Sequence, residues 1–426
     1  MTRGIYSVLL LLLFPLILAY LGFRTIKSPD YRGRWGERFG LTRLKQTDVL
    51  FHSVSMGETL AAIPVIKTLM SRHPQLTFTV TTTSPTGSAE VIKAFGDSVQ
   101  HCYLPFDINF CVSRFIKQVN PKLCVIMETE LWPNLLYFAK KNNTRLVLAN
   151  ARLSQKSADK YQKQITLSRP MLVALDAIAV QTQAESNRFE ALGVMPDVLS
   201  VCGSLKFDLQ IDDNKYSQAK TLKDSWDRSQ APVWVAGSVH PGEFDIMLQA
   251  HKEVLQQYPD ALLIMAPRHP EQFNVAAVSV TQQGLTLARR SMNEAVNEQT
   301  QVILGDTMGE LLMLYGTANF AFVGGTLIEN GGHNPLEPAA MGLPVCVGPH
   351  HWDFAEITTL LEQAGGLRVI QDSDELAELL LQMFSQADLH DAAAKASLEV
   401  VAQNRGAMQK QLEIIEQQLQ LSQLIQ

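Results

Sequence analysis

Apolar and polar positions along this chain alternate in two periods, one typical of strands and one typical of helices. Short apolar runs such as DVLFHSVS, LTFTVTTTS and LCVIMETE are each followed by a longer helical segment such as GETLAAIPVIKTLMSR. A second series of the same kind begins near residue 231 with APVWVAGS and ALLIMAPRHP. Because strands alternate with helices, each series predicts a parallel sheet covered by helices on both faces.

The chain is long enough for two such domains. Its 426 residues exceed what one hydrophobic core comfortably holds, so two domains are expected. The polar, charged stretch DLQIDDNKYSQAKTLKDSWDRSQ separates the two series and is the best candidate for a linker. The predicted fold class is therefore α/β with two doubly wound, Rossmann-like domains over residues 24–210 and 231–426, joined by a linker over 211–230.

The chain begins with an apolar segment. Residues 4–23 carry no charge, and twenty such residues match the hydrocarbon core of a bilayer. A cleaved export signal is the alternative, but it has a shorter apolar run and a small-x-small cleavage site. Only Arg3 and the amino terminus precede the segment, whereas five basic residues follow it: Arg24, Lys27, Arg32, Arg34 and Arg38. The positive-inside rule thus predicts a single-pass signal anchor with the remaining chain in the cytoplasm.

Charge is distributed unevenly along the chain. Residues 1–47 carry eight Lys or Arg and two acidic residues, a balance of +6, so the net charge of −6 leaves −12 for the other 379 residues. A nucleic-acid-binding protein needs a basic patch on its folded domain, which this distribution disfavours. A basic start suits the anionic surface of a membrane.

The cysteine and histidine patterns exclude two further classes of site. The five cysteines lack a C-x-x-C pair, which is typical of reduced core residues in a reducing compartment: Cys102, Cys111, Cys124, Cys202 and Cys346. The ten histidines include no H-E-x-x-H motif, so no zinc site is predicted.

Polar residues cluster where predicted strands end, which is where open parallel sheets bind ligands. Glu58 follows the first strand and Gly57, and it is either a complement to the helix dipole or a catalytic base. Glu128 and Glu130 end the strand LCVIME, where partial burial favours proton transfer and a helix N-cap is the structural alternative. Lys206 in GSLKFD either faces a cleft between domains or is a solvated surface residue.

The second half carries candidate anion ligands. In APRHPEQF a strand ends at Pro267 and Arg268, and the rigid turn presents a guanidinium suited to a phosphate or carboxylate. The segment TMGE, from Thr307 to Glu310, has the pattern of a capping box, so a structural role is the stronger interpretation there.

The stretch GGTLIENGGHNPLEPAAMGLPV, residues 324–345, contains two glycine pairs that permit positive φ or a close approach to a ligand. Asn334 is predicted to cap a helix that has Pro335 first and Glu337 third. However, Pro338 lacks the N–H that such a helix needs for its first backbone bond. Two interpretations of this stretch therefore remain open: it marks the start and end of a helix, or it forms a ligand-binding loop.

The chain contains neither G-x-G-x-x-G nor G-x-x-x-x-G-K-[ST], so a dehydrogenase or a P-loop NTPase would lack its own fingerprint. Basic groups lie mostly in the second half, and candidate carboxylate bases lie in the first. This division suggests a donor phosphate held by one domain and an acceptor hydroxyl activated by the other.

Six motifs, in this order behind an N-terminal anchor, resemble the 3-deoxy-D-manno-octulosonic acid (Kdo) transferase family of Gram-negative bacteria: HSVSMGE, METELWPN, GSLKFD, APRHPE, MGE and GGHNPLEPA. The resemblance covers essentially the whole chain and implies a GT-B glycosyltransferase whose two domains face a cleft. Such an enzyme moves Kdo from CMP-Kdo to the lipid A precursor, with inversion, at the cytoplasmic face of the inner membrane during lipopolysaccharide synthesis. The partners implied are this donor, this acceptor and the membrane.

The resemblance also implies roles for individual residues. Glu58 would accept the proton, and Glu128 and Lys206 would stabilise the transition state. CMP would be held by Pro267, Arg268, Met308, Gly309, Glu310, Asn334, Pro335, Leu336 and Glu337, with the glycine pairs letting backbone approach the nucleotide. No metal or cofactor is expected, because CMP carries a single phosphate and the sole D-x-D is the DSD at 372–374.

Two other classes of protein remain as alternatives. Another membrane-associated GT-B enzyme that uses a UDP-sugar would share the architecture. A two-lobed solute-binding protein also has two α/β domains, but it would need a cleaved export signal, and the basic residues after the apolar segment argue against export.

Overall fold

The computed structural model describes residues 1–27, 31–209, 211–226 and 231–425. It divides into one unit of Met1–Asp208 with Arg405–Gln426 and a second unit of Leu209–Asn404. Each unit contains one seven-stranded sheet in which every pairing is parallel. The predicted α/β class with two doubly wound sheets is therefore confirmed.

Among its described residues, the first unit contains seven strands and ten helices. Its strands are β1 Val49–His52, β2 Phe78–Thr82, β3 Gln100–Tyr103, β4 Leu123–Met127, β5 Arg145–Ala151, β6 Ala177–Val180 and β7 Leu199–Val201. Its helices are α1 Arg3–Lys27, α2 Trp35–Arg38, α3 Met56–Arg72, α4 Pro85–Phe95, α5 Asn109–Val119, α6 Pro133–Lys141, α7 Gln155–Lys163, α8 Ile165–Val173, α9 Gln183–Ala191 and, at the end of the chain, α18 Ala407–Leu421.

The second unit repeats the design, with seven strands and eight helices in the part of it that the structure describes. Its strands are β8 Val233–Val239, β9 Leu262–Pro267, β10 Leu287–Arg289, β11 Val302–Leu304, β12 Phe320–Val323, β13 Val345–Val347 and β14 Leu367–Val369. Its helices are α10 Asp213–Asp224, α11 Phe244–Gln257, α12 Phe273–Gln282, α13 Leu311–Tyr315, α14 Leu336–Ala340, α15 Ala355–Ala364, α16 Ser373–Ser385 and α17 Ala387–Asn404.

The order of the strands determines where a ligand can bind. The first sheet runs β3-β2-β1-β4-β5-β6-β7 and the second runs β10-β11-β9-β8-β12-β13-β14. The winding direction reverses between β1 and β4 in the first sheet and between β8 and β12 in the second. Ligands of open α/β sheets bind beyond the carboxyl ends of the strands at such a reversal.

Both sheets are apolar on both faces because helices cover them. Every residue of β1, β4 and β9 is buried, as expected for strands of a covered parallel sheet. All five cysteines are buried and unpaired, in agreement with their interpretation as core residues.

The predicted linker over 211–230 contains a helix. In α10, Ala219 is buried, and Trp226 just beyond the helix is buried too; both join a cluster with Val233 and Leu314. Apolar side chains at helical spacing, Tyr216, Ala219, Leu222 and Trp226, form one stripe within an otherwise polar segment. The overall polarity concealed this stripe, and the segment packs as part of the second unit.

The end of the chain belongs to the first unit, whereas the sequence assigned all of 231–426 to the second domain. Helix α18 buries Leu412, Ile415 and Leu419 in the core of the first unit. Its Gln411 side chain also accepts a hydrogen bond of 2.8 Å from the Asn150 backbone N–H. A local pattern cannot show which sheet a terminal helix covers.

Helix α1 is long and apolar enough to cross a bilayer, and among the described helices it alone meets that criterion. It extends beyond the predicted residues 4–23 at both ends. Two of the basic residues expected to face a membrane are folded into the first unit: Arg38 is 6% exposed, and Arg34 forms an ion pair of 2.8 Å with Glu37.

Candidate functional site

The reversal point of the first sheet brings together residues that are far apart in sequence. Glu58 lies in the first turn of α3, directly after β1, and Glu128 directly follows β4, the neighbour of β1. Lys206 lies in a short turn after β7. The predicted catalytic residues therefore all lie at the carboxyl edge of one sheet.

The Glu58 carboxylate is held rigidly. One of its oxygens accepts a hydrogen bond of 2.8 Å from the Val54 N–H, and the other accepts from the Ser55 N–H at 3.1 Å and the Ser55 hydroxyl at 2.7 Å. Ser55 and Glu58 form a capping box at the start of α3. The structural interpretation of Glu58 is thus correct, and the same contacts fix the carboxylate in one orientation.

Glu128 adopts an unusual backbone conformation, with φ of 54°, a left-handed value that non-glycine residues adopt rarely and at a cost. Burial raises the pKa of its carboxyl group, and the Glu58 charge adds to that effect, whereas Lys206 and Arg152 oppose it. Burial, with Glu58 and Glu128, also raises the pKa of Glu130 to about 7. Three carboxylates therefore interact electrostatically at this edge, and perturbed groups of this kind are typical of functional sites.

The turn that carries Lys206 is positioned by Asn150, a residue that the sequence did not single out. Asn150 is fully buried with φ of 52°, and its side-chain oxygen accepts a hydrogen bond of 3.0 Å from the Leu205 N–H. An asparagine at the end of the strand TRLVLAN was the available signal, since asparagine tolerates left-handed backbone.

A buried carboxylate organises the reversal point of the second sheet, and the sequence pattern did not single it out. Glu243 is 0% exposed, and its two oxygens accept hydrogen bonds from four backbone N–H groups. The donors are His240 at 2.9 Å, Gly325 at 2.8 Å, Thr326 at 3.0 Å and Leu327 at 3.0 Å. Glu243 therefore ties the loop after β8 to the loop after β12.

The glycine pairs in this region serve packing within the protein. A Cβ atom on Gly324 would lie 2.4 Å from the Ser238 carbonyl oxygen, and one on Gly331 would lie 2.5 Å from the Asp353 carboxylate. Gly325, Gly331 and Gly332 have φ of 70°, 87° and 85°, which favour glycine. Protein contacts alone thus require these glycines, whereas the sequence attributed them to the approach of a nucleotide.

Arg268 lies beside several polar side chains. It directly follows β9, and its charge lowers the pKa of the half-buried Glu337 carboxyl group against the larger, opposite effect of burial. His240 and His333 stack with an Nε2–Nε2 distance of 2.8 Å, so the Nε2–H of one imidazole donates a hydrogen bond to the Nε2 atom of the other. Burial lowers the pKa of His333 to about 4, and His240, Arg268 and His269 add to this effect. The described residues include no ion-pair partner for the Arg268 guanidinium.

The TMGE segment differs from the predicted capping box. Helix α13 begins at Leu311 with Glu310 at its N-cap, so Thr307 lies too far from the helix to cap it. The Glu310 carboxylate instead forms two hydrogen bonds of 3.1 Å with Arg290 and accepts one from the Thr307 hydroxyl. Burial would raise the pKa of Glu310, but these bonds lower it. Met308 is 59% exposed and Gly309 has φ of 82°.

The helix predicted to start at Pro335 is a single turn, α14, with five residues that begin at Leu336. The Asn334 side chain accepts a hydrogen bond of 3.1 Å from the Leu336 N–H, but the residue at the N-cap of α14 is Pro335, so the predicted capping residue lies one position before the observed cap. Pro338 lies in the first turn and has no N–H to donate to the Asn334 carbonyl, and the left-handed Gly342, with φ of 79°, follows the end of the helix. A helix this short has little dipole to offer an anion.

The predicted nucleotide ligands lie at or beyond the carboxyl ends of strands of the second sheet. Pro267 ends β9 and Arg268 follows it, Met308, Gly309 and Glu310 follow β11, and the residues from Asn334 to Glu337 lie beyond β12, the last two of them in α14. In the described parts of the chain, no group of three or more His, Cys, Asp or Glu side chains is placed to hold a metal ion.

Comparison with solved structures defines the fold. A UDP-N-acetylglucosamine 2-epimerase matches 88% of this chain with a TM-score of 0.55 and 13% identity. A glycosyltransferase from Rickettsia africae matches 88% of the chain with a TM-score of 0.53 and 16% identity. At these identities the likeness concerns the fold alone, which is that of the GT-B glycosyltransferases and related epimerases.

Sequence comparison then gives the family. The family profile described as 3-Deoxy-D-manno-octulosonic-acid transferase (kdotransferase) matches residues 33–209. The 3-deoxy-D-manno-octulosonic acid transferase of Haemophilus influenzae is 41% identical over 425 residues, 99% of both chains. The corresponding transferase of Bordetella pertussis is 31% identical and covers 98% of this chain and 99% of its own. The chain belongs to the 3-deoxy-D-manno-octulosonic acid transferase family, and it is a glycosyltransferase.

Proposed function

We propose that this protein transfers Kdo from CMP-Kdo to the lipid A precursor lipid IVA, with inversion at the anomeric carbon. The observation that supports this proposal best is the rigid Glu58 carboxylate at the reversal point of the first sheet, beside Glu128. Family membership supplies the sugar that is transferred.

Glu58 is the general base in this proposal. The acceptor hydroxyl oxygen attacks the anomeric carbon of Kdo while its proton passes to the Glu58 carboxylate, and CMP leaves with the electron pair of the broken bond. A fixed carboxylate suits this step because it loses little entropy when it meets the hydroxyl. Glu128 and Lys206 stabilise the transition state, and their opposite charges already interact.

The second unit binds the nucleotide. The Arg268 guanidinium matches the phosphate of CMP in charge and geometry. The Glu310 and Glu337 carboxylates suit the hydroxyl groups of the ribose and the amino group of cytosine, which donate hydrogen bonds. Backbone of Pro267, Met308, Gly309, Asn334, Pro335 and Leu336 completes the surface around CMP.

Helix α1 attaches the enzyme to the inner membrane, with both sheets on the cytoplasmic side. Its apolar composition and the basic residues that follow it support this location. The lipid acceptor lies in the same membrane, so attachment keeps enzyme and acceptor together.

The experiment is a transfer assay with purified full-length protein, CMP-Kdo and tetraacylated lipid A precursor, and the readout is the mass of the product. We expect the acceptor mass to rise by one or more Kdo units only when CMP-Kdo is present. A product formed with UDP-sugars instead would assign the protein to another donor class, and no product from either donor would contradict the proposal.

A further inference from the structure

Helix α1 contacts the first unit at its start, near its middle and near its end, although Leu21 is the only one of its described side chains that is fully buried. Its partly or fully buried residues recur at helical spacing, which defines one continuous stripe: Arg3, Tyr6, Ser7, Leu10, Phe14, Ile17, Leu18, Leu21, Arg24 and Thr25. The opposite face is apolar and exposed, with Leu12 at 71%, Leu16 at 66% and Ile26 at 77%. One face of the helix thus contacts the first unit and the other is exposed, although its apolar segment is hydrophobic on all sides.

The first turns of α1 carry polar groups that match buried polar groups of the unit. The Tyr6 hydroxyl donates to the Asp107 carboxylate at 3.1 Å. Arg3 and the Ser7 hydroxyl donate to the Asn134 side-chain oxygen at 2.9 Å and 3.0 Å. Asp107 is 6% exposed and Asn134 is 0% exposed. Helix α1 therefore supplies hydrogen-bond donors to a buried carboxylate and a buried amide oxygen.

Both ends of α1 contact the first unit. At the start, the amino terminus lies 3.4 Å from the Gln164 side chain, and in the middle the Phe14 ring lies 5.9 Å from Phe39. At the end, Leu21 is 4% exposed. A helix of 25 residues is about 37 Å long, so a helix that crosses a bilayer carries its first turns to the other side, far from a cytoplasmic domain.

We propose that α1 lies along the membrane surface, clamped to the first unit by Arg3, Tyr6 and Ser7, and that its exposed apolar face contacts lipid without crossing the bilayer. This inference rests on the proposed attachment of the enzyme to a membrane. An in-plane helix buries its apolar face at the boundary of headgroups and acyl chains.

Charge complementarity identifies the occupant of the exposed face as a lipid surface. Arg32 is exposed and donates a hydrogen bond of 3.0 Å to the Thr25 carbonyl oxygen near the end of α1, and residues 1–47 carry a net charge of +6, which favours anionic headgroups over a protein of the same acidic character as the rest of this chain. Asn134 is the last residue of the METELWPN segment and lies in the first turn of α6, so the contact with Arg3 places the edge that carries Glu128 beside the membrane. A lipid acceptor then presents its sugar at that edge while its acyl chains stay in the bilayer.

The test uses cysteine pairs in the full-length protein in native membranes, where the five native cysteines are buried. The Ser7 hydroxyl lies 3.3 Å from the Asn109 side-chain oxygen, so the double variant Ser7→Cys with Asn109→Cys should form a disulfide when oxidised with copper phenanthroline. The control pair, Leu12→Cys with Asn109→Cys, has one cysteine on the exposed face and should not form it. Mass spectrometry of the linked peptides gives the yield of each pair.

A second measurement reads topology directly. The variant Thr2→Cys is treated with a membrane-impermeant maleimide in intact cells and again after permeabilisation. We expect labelling only after permeabilisation, because residue 2 stays on the cytoplasmic side. Labelling in intact cells, or no disulfide between positions 7 and 109, would overturn the in-plane arrangement.

Two further outcomes concern what the exposed apolar face of α1 contacts. Recovery of the protein in the soluble fraction would contradict membrane attachment, and it is distinguishable because the disulfide between positions 7 and 109 would still form. A disulfide between two copies through Leu12→Cys would show that a second copy of the chain covers the apolar face, which overturns contact with lipid.

Discussion

The hydrogen bonds that the buried Glu243 carboxylate accepts should hold the loop after β12 in its folded conformation. In the variant Glu243→Gln, one of the two side-chain oxygens becomes an amide NH₂ group. That group would face two of the backbone N–H donors at His240, Gly325, Thr326 and Leu327, and it cannot accept from them. The variant therefore loses two hydrogen bonds to a charged acceptor and leaves two buried donors without a partner.

The cost follows from these contacts. A hydrogen bond to a charged group contributes about 1.5 to 3 kcal/mol, so two lost bonds weaken the loop by about 3 to 6 kcal/mol. Since about 1.4 kcal/mol is a factor of ten, even the lower figure raises the open population of the loop about 100-fold.

Amide hydrogen exchange followed by mass spectrometry measures this population. Peptides that contain residues 325–327 should exchange at least about 100-fold faster in Glu243→Gln than in the wild type, if exchange proceeds through local opening. The matched control is Glu253→Gln, on the same helix α11, whose side chain makes no hydrogen bond to any described residue, so no change is expected. Equal protection of residues 325–327 in the two variants would refute the anchoring role of Glu243.

Four further outcomes are expected. The variant Glu58→Gln should lower turnover by at least about 100-fold with CMP affinity nearly unchanged. The variant Glu185→Gln is the control for loss of a capping box, because Glu185 forms a matching box with Thr182. Equal turnover in both variants would refute the catalytic role of Glu58. Arg268→Ala should weaken CMP binding in calorimetry by about 1.5 to 3 kcal/mol, whereas the exposed Arg368→Ala should not, and unchanged affinity would place the phosphate elsewhere. Burial raises the pKa of Glu130 from 4.5 to about 7, so the folded state keeps this proton while the unfolded state loses it, and wild-type stability should fall as pH rises across that interval. The contribution of this pKa shift to the free energy of unfolding has an upper limit of about 3.4 kcal/mol, which solvent screening reduces to about 1 to 2 kcal/mol. The variant Glu130→Gln should lose this pH dependence when unfolding midpoints are compared at pH 5 and pH 8. The same change of midpoint with pH in wild type and variant would contradict the prediction. Activity should survive EDTA, because the leaving group is a monophosphate; loss on chelation that magnesium restores would contradict this.

Three candidate residues, Glu58, Glu128 and Arg268, were singled out because each lies at the end of an apolar run that the sequence shows directly. Glu337 came from the predicted helix start and the family resemblance, and the roles of all four stay predictions. Glu243 and Asn150 were missed, although GSVHPGE and TRLVLAN were visible, because their importance lies in the backbone groups that they bind. Those groups, at 325–327 and at Leu205, are about 80 and 55 residues away in sequence.

The sequence by itself determined the alternation of strands and helices, the two sheets and the apolar character of α1. These properties depend on local periodicity, which short windows of the chain contain in full. Only the tertiary structure decided that α18 covers the first sheet, that α10 packs where a linker was expected, and that the first turns of α1 meet Asp107 and Asn134. Each of these depends on contacts between residues distant in sequence, whose partners are selected by complementary shape and by the need to satisfy buried polar groups.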